Sequence, residues 1–386
     1  MIFSIFGEQI PVVKGKAPAG KYAFMIGASA PGKTKEFAPE QARFTVTAKK
    51  SYFNGNDFVG RGRIWRQSPV VNILVLEHCS QFICFWKRRL GLNGLSQATR
   101  GIVFTPAKQL KLQTGTTSWI PQLTMRDIRA GYGRKTANDS VKAPEEFRLS
   151  AKQRKAKRLE TQIWLKRMKM GRSQVFSYGH AFTRWWDKYG KTHPEYFALT
   201  SKGERAPYHA SKPDRIKLCI SNPEVHKLIV ANFVKSGGSK VINTCENDSG
   251  NYCECKKCRA LDATSKGEKF DKDLDAYYQS WVKAGAKNLF LRPNDMHIDP
   301  GLPMGFEKKM FDNFQICMKY GAFGTDYDAI HNFWPVSGIA NYIIARAIAE
   351  PDKSFYYWEN EYCSTYGPAA TEVKKYYHYW RKNIFE

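Results

Sequence analysis

The chain has 386 residues, 42% of them hydrophobic, and a formal net charge of +26. That length supports a sizeable core in one or two domains, and nine cysteines, odd in number and mostly isolated, argue against a disulfide scaffold. No run of 18 apolar residues occurs, which excludes a membrane-spanning helix.

Sixty-one Lys and Arg against 35 Asp and Glu would ordinarily point to a polyanion. The charge is unevenly spread, however: residues 129–172 hold 14 basic and 4 acidic side chains. Lys152, Arg154, Lys155, Lys157 and Arg158 fall at the start of a predicted helix and read as a solvated face. No nucleic-acid motif accompanies them. Aromatic residues make up 14% of the chain, including 10 Trp and 20 Tyr. Such rings serve as platforms for sugars, but a core of this size also buries many of them. Met1–Phe6 is apolar but too short for a signal segment and has no basic flank; an export signal, if there is one, would be encoded upstream.

Taken in order, residues 1–115 read as a small α+β domain. Lys21–Ile26 is a predicted strand, and Arg43–Thr47 alternates as a half-buried one. Residues 55–97, rich in Arg, Cys and Trp, settle on no single period and are expected to be irregular. Gly101–Phe104 returns to an ordinary apolar run. From residue 116 to 386 helices and strands alternate. Ser150 can cap a helix to about Met170. Val175–Tyr178 reads as a strand, Ile216–Ile220 as a β-type run, and Asn222-Pro223 as a helix start. Lys240–Thr244 and Asn288–Leu291 are further strands, with helical material between Ala260 and Lys283. A short strand at Ala322–Gly324 precedes three helices, Ile339–Ala349, Tyr356–Thr365 and Ala369–Arg381.

This alternation argues for an α/β fold with parallel strands. Several strands run into polar groups: His180 after the first, Glu246 and Asp248 after Lys240–Thr244, Arg292, Asp295, His297 and Asp299 after Asn288–Leu291, and Asp326 and Asp328 after Ala322–Gly324. Polar groups collected at strand C-termini are what a barrel active-site face presents. A doubly wound sheet would do the same, but no glycine-rich phosphate loop follows any strand. Glu246 and Asp248, two apart, could divide acid and nucleophile roles at a glycosidic bond; Asp248 could equally shape the turn before Ser249-Gly250. Arg126, Arg129 and Arg172 could clamp a sugar carboxylate or be ordinary surface charge. Cys253, Cys255 and Cys258, with Cys245 upstream, could hold zinc through four thiolates. C-x-C-x-x-C is not the usual paired knuckle, so the reading is a packed or locally bridged loop, with no metal and no cofactor.

Gly179–Trp186, Thr192–Leu199, Leu218–Glu224, Asn247-Asp248 with the following Tyr-Cys-Glu-Cys-x-x-Cys258, and the tail from Tyr342 to Tyr377 resemble a bacterial domain-of-unknown-function family, DUF4838. The resemblance spans about residues 116–386 and keeps the motifs in order. It implies a (β/α)8-type barrel similar to those of α-glucuronidases, β-hexosaminidases and endo-β-N-acetylglucosaminidases, preceded by a hexosaminidase-like α+β domain, and a periplasmic or secreted setting. It further implies glycoside hydrolysis of a hexosaminide or uronide, with Glu246 and Asp248 on the family's most recognisable loop. His180, Trp185, Trp186, Asn247, Arg292, Asp295, His297, Asp326, Asp328 and Trp334 are the expected carbohydrate contacts.

The chain departs from that pattern in three places. The α+β domain begins late, residues 55–97 read like a shifted frame, and the stretch from Ala263 to Gln279 is shorter than the family's. The barrel is therefore expected to be incomplete and turnover low. Two other functions compete: a non-catalytic carbohydrate-binding relic of the same fold, and a basic nucleic-acid-binding protein, which the strand-end acids oppose.

Overall fold

The computed structural model describes residues 23–26, 41–48, 50–55, 93–94, 102–103, 114–130, 150–172, 179–209, 211–237, 243–245, 247, 249, 252–260, 275, 278, 279, 282, 287–294, 305–330 and 334–385. Most of the 55–97 and 263–279 segments, and the expected strand at Val175–Tyr178, lie outside them. Met1–Gln174 with Asp271–Glu386 forms one compact unit, and Val175–Phe270 the other.

The first unit holds two larger sheets. In the first, β1 (Ala23–Ile26) pairs parallel with β3 (Lys50–Gly55), and β2 (Ala42–Val46) runs antiparallel between β3 and β6 (Gly115–Trp119). The alternation read at Arg43–Thr47 is what the strand uses: Phe44 and Val46 are buried while Arg43 and Thr45 are half-buried. Two-residue strands β4 (Asn93–Gly94) and β5 (Ile102–Val103) pair antiparallel; β5 lies inside the expected Gly101–Phe104 run, β4 inside the 55–97 segment.

The second sheet has the order β8-β7-β10-β9, from β7 (Met125–Ala130), β8 (Gly171–Arg172), β9 (Leu289–Leu291) and β10 (Ala322–Ile330). β7, β10 and β9 are mutually parallel, and β8 is antiparallel to β7. The fold is therefore mixed α/β, and among the described residues this sheet is open. Two sequence expectations change. The strand expected at Ala322–Gly324 runs on to Ile330, so Asp326 and Asp328 stand within it. A charged residue breaks an apolar run in sequence but not a strand, if a neighbouring strand neutralises it. Ile216–Ile220, read as β-type, makes a single antiparallel bridge among the described residues, Phe197 with Leu218; Ile216 and Leu218 pack in a small core instead, and Ile220 is exposed.

Helix α1 (Ala151–Arg167) begins as the sequence indicates. Ser150 accepts from the Gln153 N–H, and the Gln153 side chain accepts from the Ser150 N–H at 2.7 Å, closing a capping box. Lys152, Lys155 and Lys157 are exposed, consistent with a solvated basic face. Three short helices belong to the second unit: α2 (Trp185–Tyr189), α3 (Pro223–Lys235) and α4 (Lys256–Arg259). The first unit ends in four more, α5 (Glu307–Lys319), α6 (Trp334–Ala349), α7 (Phe355–Ser364) and α8 (Ala370–Trp380). No helix among the described residues is long and apolar enough to cross a membrane.

One face of the parallel strands carries Ile128 and Tyr327 into a core shared with Trp164, Phe314, Ile343, Ile348 and Trp358. Helix α6 is buried on all sides from Ile339 to Ala349, which is why its apolar run shows little helical periodicity. Trp119, at the end of β6, donates to the Ala349 carbonyl at 3.4 Å and lies under Lys169 and Arg126, so the two sheets share α6 and α1 as supports.

The tail is fixed by a buried ion triad. Arg381 donates to Glu307 at 3.0 Å and to Glu359 at 2.8 Å, each side chain no more than 5% exposed. Burial raises the Glu307 carboxyl above its usual range, with Arg381 pulling the other way. The backbone beside Arg381 passes so close to Gly305, at φ 67°, that a Cβ there would meet it at 2.5 Å. Replacing Arg381 with Met should leave the buried Glu307 carboxylate without its partner and Glu359 with only Lys374 at 3.6 Å, and cost about 3–5 kcal/mol in chemical denaturation. Converting Glu307 and Glu359 to Leu in the same background should recover most of the loss.

Candidate functional site

Side chains alternate across a strand, so residues two apart share a face. On the face of β7, β10 and β9 opposite the helical core, the in-register rows are legible. Met125, Gly324 and Phe290 form the first row. A Cβ on Gly324 would come within 3.1 Å of both Met125 and the Phe290 ring, so a larger residue there would have to push its neighbours aside by a few tenths of an ångström. Asp127 and Asp326 are register partners in the next row, with Arg292 just past the end of β9. Arg129 and Asp328 follow.

The charges interlock. Asp326 is fully buried and receives Arg129 in a fork, Nη2 at 2.6 Å and Nε at 2.9 Å. Arg129 also reaches Asp328 at 3.3 Å, and Arg292 approaches the same Asp328 oxygen at 3.8 Å. Asp127 pairs with Arg172 at 2.9 Å. Burial pushes the Asp127 carboxyl above the usual range; Arg172 opposes this, and the like charge of Asp326 adds to it. Asp326 is thus spent on holding β7 to β10, whereas Asp328, Arg292, Asp127 and Arg129 keep partial exposure.

The three arginines considered for a sugar carboxylate are committed within the fold. Arg126 is buried and donates to the Lys169 and Leu123 carbonyls at 3.0 and 2.7 Å. Arg129 and Arg172 are the partners of Asp326 and Asp127. Lys169, whose carbonyl receives Arg126, holds a left-handed backbone at φ 63° and a 2.7 Å ion pair to Glu350.

The second unit carries the motif residues. Trp185 packs edge-on against Phe182 and Tyr189, and Trp186 against Phe197 at 4.9 Å. Both rings therefore serve the aromatic core of that unit. His180 is exposed, next to Ala181, whose N–H donates to the Cys245 carbonyl at 2.8 Å. Asn247 is a staple: its amide nitrogen donates to the Asp214 and Ile216 carbonyls, each at 2.8 Å, and its oxygen accepts from Ser249 N–H at 3.0 Å. Glu246, Asp248, Asp295, His297 and Asp299 lie outside the described residues, as does the side chain of Trp334. The structure thus brings together Arg292, Asp326 and Asp328 in the first unit, and His180 with the segment entering Glu246 in the second.

Two features escaped sequence reasoning. The Met125–Ala130 strand was not singled out, although its Met, Asp and Arg alternate with Arg and Ile as a two-faced strand would. The second is a cluster of four free thiols, Cys219, Cys253, Cys255 and Cys258, whose sulfurs all lie within 4.8 Å of one another. Cys219, not Cys245, completes the set. The signal was in the Leu218-Cys-Ile-Ser-Asn-Pro motif, where Asn222 caps α3 by accepting from Glu224 N–H at 3.0 Å and so fixes the preceding turn. Ser221, with hydroxyl contacts of 3.1 to 3.6 Å to three of the sulfurs, lies in that turn. Its bond and the Cys258 N–H hold the Cys255 thiol down to about 6, whereas burial pushes Cys258 up to about 12. Arg205 lies against the cluster; burial disfavours its charge, but hydrogen bonds to Cys219 and Cys253 outweigh that.

Residues 97–280 match the family model of a domain of unknown function, DUF4838. No curated protein matches the chain.

Asp127 gives a pH test. Its folded pKa is raised, so the folded state holds its proton to higher pH than the unfolded state does. The stability it contributes is full below about pH 4 and is lost as pH rises through the folded value. In urea titrations across pH 4–7, Asp127→Asn should remove that part of the decline; an unchanged pH profile would contradict the assignment.

Proposed function

We propose that this DUF4838 chain is a glycan-directed protein of glycoside-hydrolase type. In this reading β7, β10 and β9 are neighbouring staves of a (β/α)8-type barrel, and the face bearing Asp127, Arg129, Asp328 and Arg292 lines its lumen. The observation that supports it is the layering of three parallel neighbours, apolar below and ionic towards their C-terminal ends, where barrel enzymes gather their functional groups. Half-exposed arginines and carboxylates side by side suit a hydroxyl-rich or uronic ligand, since both donors and acceptors are on offer.

Glu246 and Asp248 remain the proposed acid and nucleophile or base pair. Among the strand-end acids Asp326 is excluded from catalysis by its bidentate Arg129 partner and full burial. That same neutralisation favours a second reading, a binding protein that has kept the fold and lost turnover. A mixed-sign cleft also disfavours nucleic acid, because Asp127 and Asp328 repel phosphate.

The readings separate in one set of assays. The chain is measured against aryl N-acetylglucosaminides, aryl glucuronides and a complex N-glycan, beside a version whose 263–279 segment is restored to the family's length. For a hydrolase, Glu246→Gln and Asp248→Asn should each lower turnover by about 10²–10⁴-fold with little change in glycan affinity by calorimetry. Asp328→Asn and Arg292→Met should instead weaken affinity. Binding with no turnover in either version would establish the relic; full activity of the double carboxylate variant would overturn the proposed pair, and absence of any glycan binding would overturn the whole reading.

A further inference from the structure

We propose that Cys219, Cys253, Cys255 and Cys258 form a closed, structural zinc site in the second unit. Zinc bound by four thiolates sits about 2.3 Å from each sulfur. The edge of a regular tetrahedron with that radius is 1.63 times longer, about 3.8 Å. Cys219 Sγ lies 3.8 Å from Cys255 Sγ and 3.8 Å from Cys258 Sγ, and no pair in the set exceeds 4.8 Å. The spacing is that of sulfurs around a shared ion; a disulfide would need about 2.05 Å, and all four are free thiols.

The surroundings are those a tetrathiolate requires. Zinc with four thiolates carries a net charge of −2, which must be offset. The Leu199 N–H points at Cys253 Sγ at 3.3 Å and the Cys258 N–H at Cys255 Sγ at 3.4 Å. Ser221 offers a hydroxyl to three sulfurs, and Arg205 adds a full positive charge beside Cys219 and Cys253. Four protein ligands leave no open position, so the role is structural, not catalytic. Cys219, Cys253 and Cys258 are buried, and with Ala198 they make up a small core of this unit. An ion there would tie the turn before α3 to the loop that follows Asn247 and the start of α4. The energy of metal binding then becomes folding energy for that loop.

The test uses the whole chain. Expressed with added zinc and dialysed, it should hold one zinc per chain by elemental analysis, and Co(II) exchanged into it should show the thiolate charge-transfer and tetrahedral ligand-field bands of an S4 site. Cys219→Ser should lose the metal, whereas Cys245→Ser, outside the cluster, should keep it. Native-chain alkylation read by mass spectrometry is the second arm and does not depend on the folding of Cys219→Ser. Zinc should slow labelling of Cys219, Cys253, Cys255 and Cys258 together by about tenfold or more relative to a chelator, leaving Cys245 unchanged. Iron in place of zinc, disulfides among the four, no bound metal, or protection of Cys245 in place of Cys219 would each overturn the proposal.

Discussion

The fork between Arg129 and Asp326 is the constraint on which the central sheet depends. A carboxylate removed from water inside a strand costs several kcal/mol unless it is both paired and hydrogen-bonded. Arg129 supplies both at once from the neighbouring strand, and in doing so fixes the register of β7 against β10. Every other polar contact on that face follows from this register. Asp127 faces Asp326, Asp328 falls within reach of Arg129, and Arg292 closes the row from β9. On the opposite face the buried charge is Arg126, whose guanidinium is taken up by the Lys169 and Leu123 carbonyls, so Ile128 and Tyr327 meet the helices beside a satisfied group.

The sequence was most legible where local chemistry decides the outcome. Ser150 with Gln153, and Asn222 with Pro223, start helices because a side chain satisfies an N–H that the helix cannot, and both starts were read correctly. The last three helices were found to within about five residues from their apolar runs and the glycine near their junction, whereas α5 (Glu307–Lys319) was not read. Less legible was anything that depends on a distant partner. Asp326 and Asp328 read as a loop after a short strand because their neutralising arginine is far away in the chain. Ile216–Ile220 read as a strand because apolar β-branched residues look alike whether they face a sheet or a small core. Tryptophans 185 and 186 suggested a sugar platform, and their packing against Phe182, Tyr189 and Phe197 is the tertiary contact that composition could not reveal.

The cysteine cluster shows the same limit in sharper form. Three thiols announce themselves by spacing, and the nearest upstream cysteine, Cys245, seemed the natural fourth. Chain proximity misled because the segment around Cys245 is occupied elsewhere, its carbonyl bonded to Ala181 and its N–H to Asn243. Cys219 arrives instead from the turn that Asn222 fixes ahead of α3. A helix cap thus selects which sulfur joins the group, a local rule with a non-local result.

The first unit is discontinuous, with Val175–Phe270 inserted between its two parts. Arg129 and Asp326 are 197 residues apart. At ribosomal rates of about 5–20 residues per second, β7 waits roughly 10–40 s for β10 to be synthesised. During that interval its edge is open, and an open edge invites pairing with other chains. Asp127 and Arg129 place opposite charges on that waiting strand, and charge on an edge opposes such pairing. The residues that later bind β10 therefore also act as gatekeepers on the nascent chain, and the central sheet stays guarded by its own future partners until β10 has been synthesised.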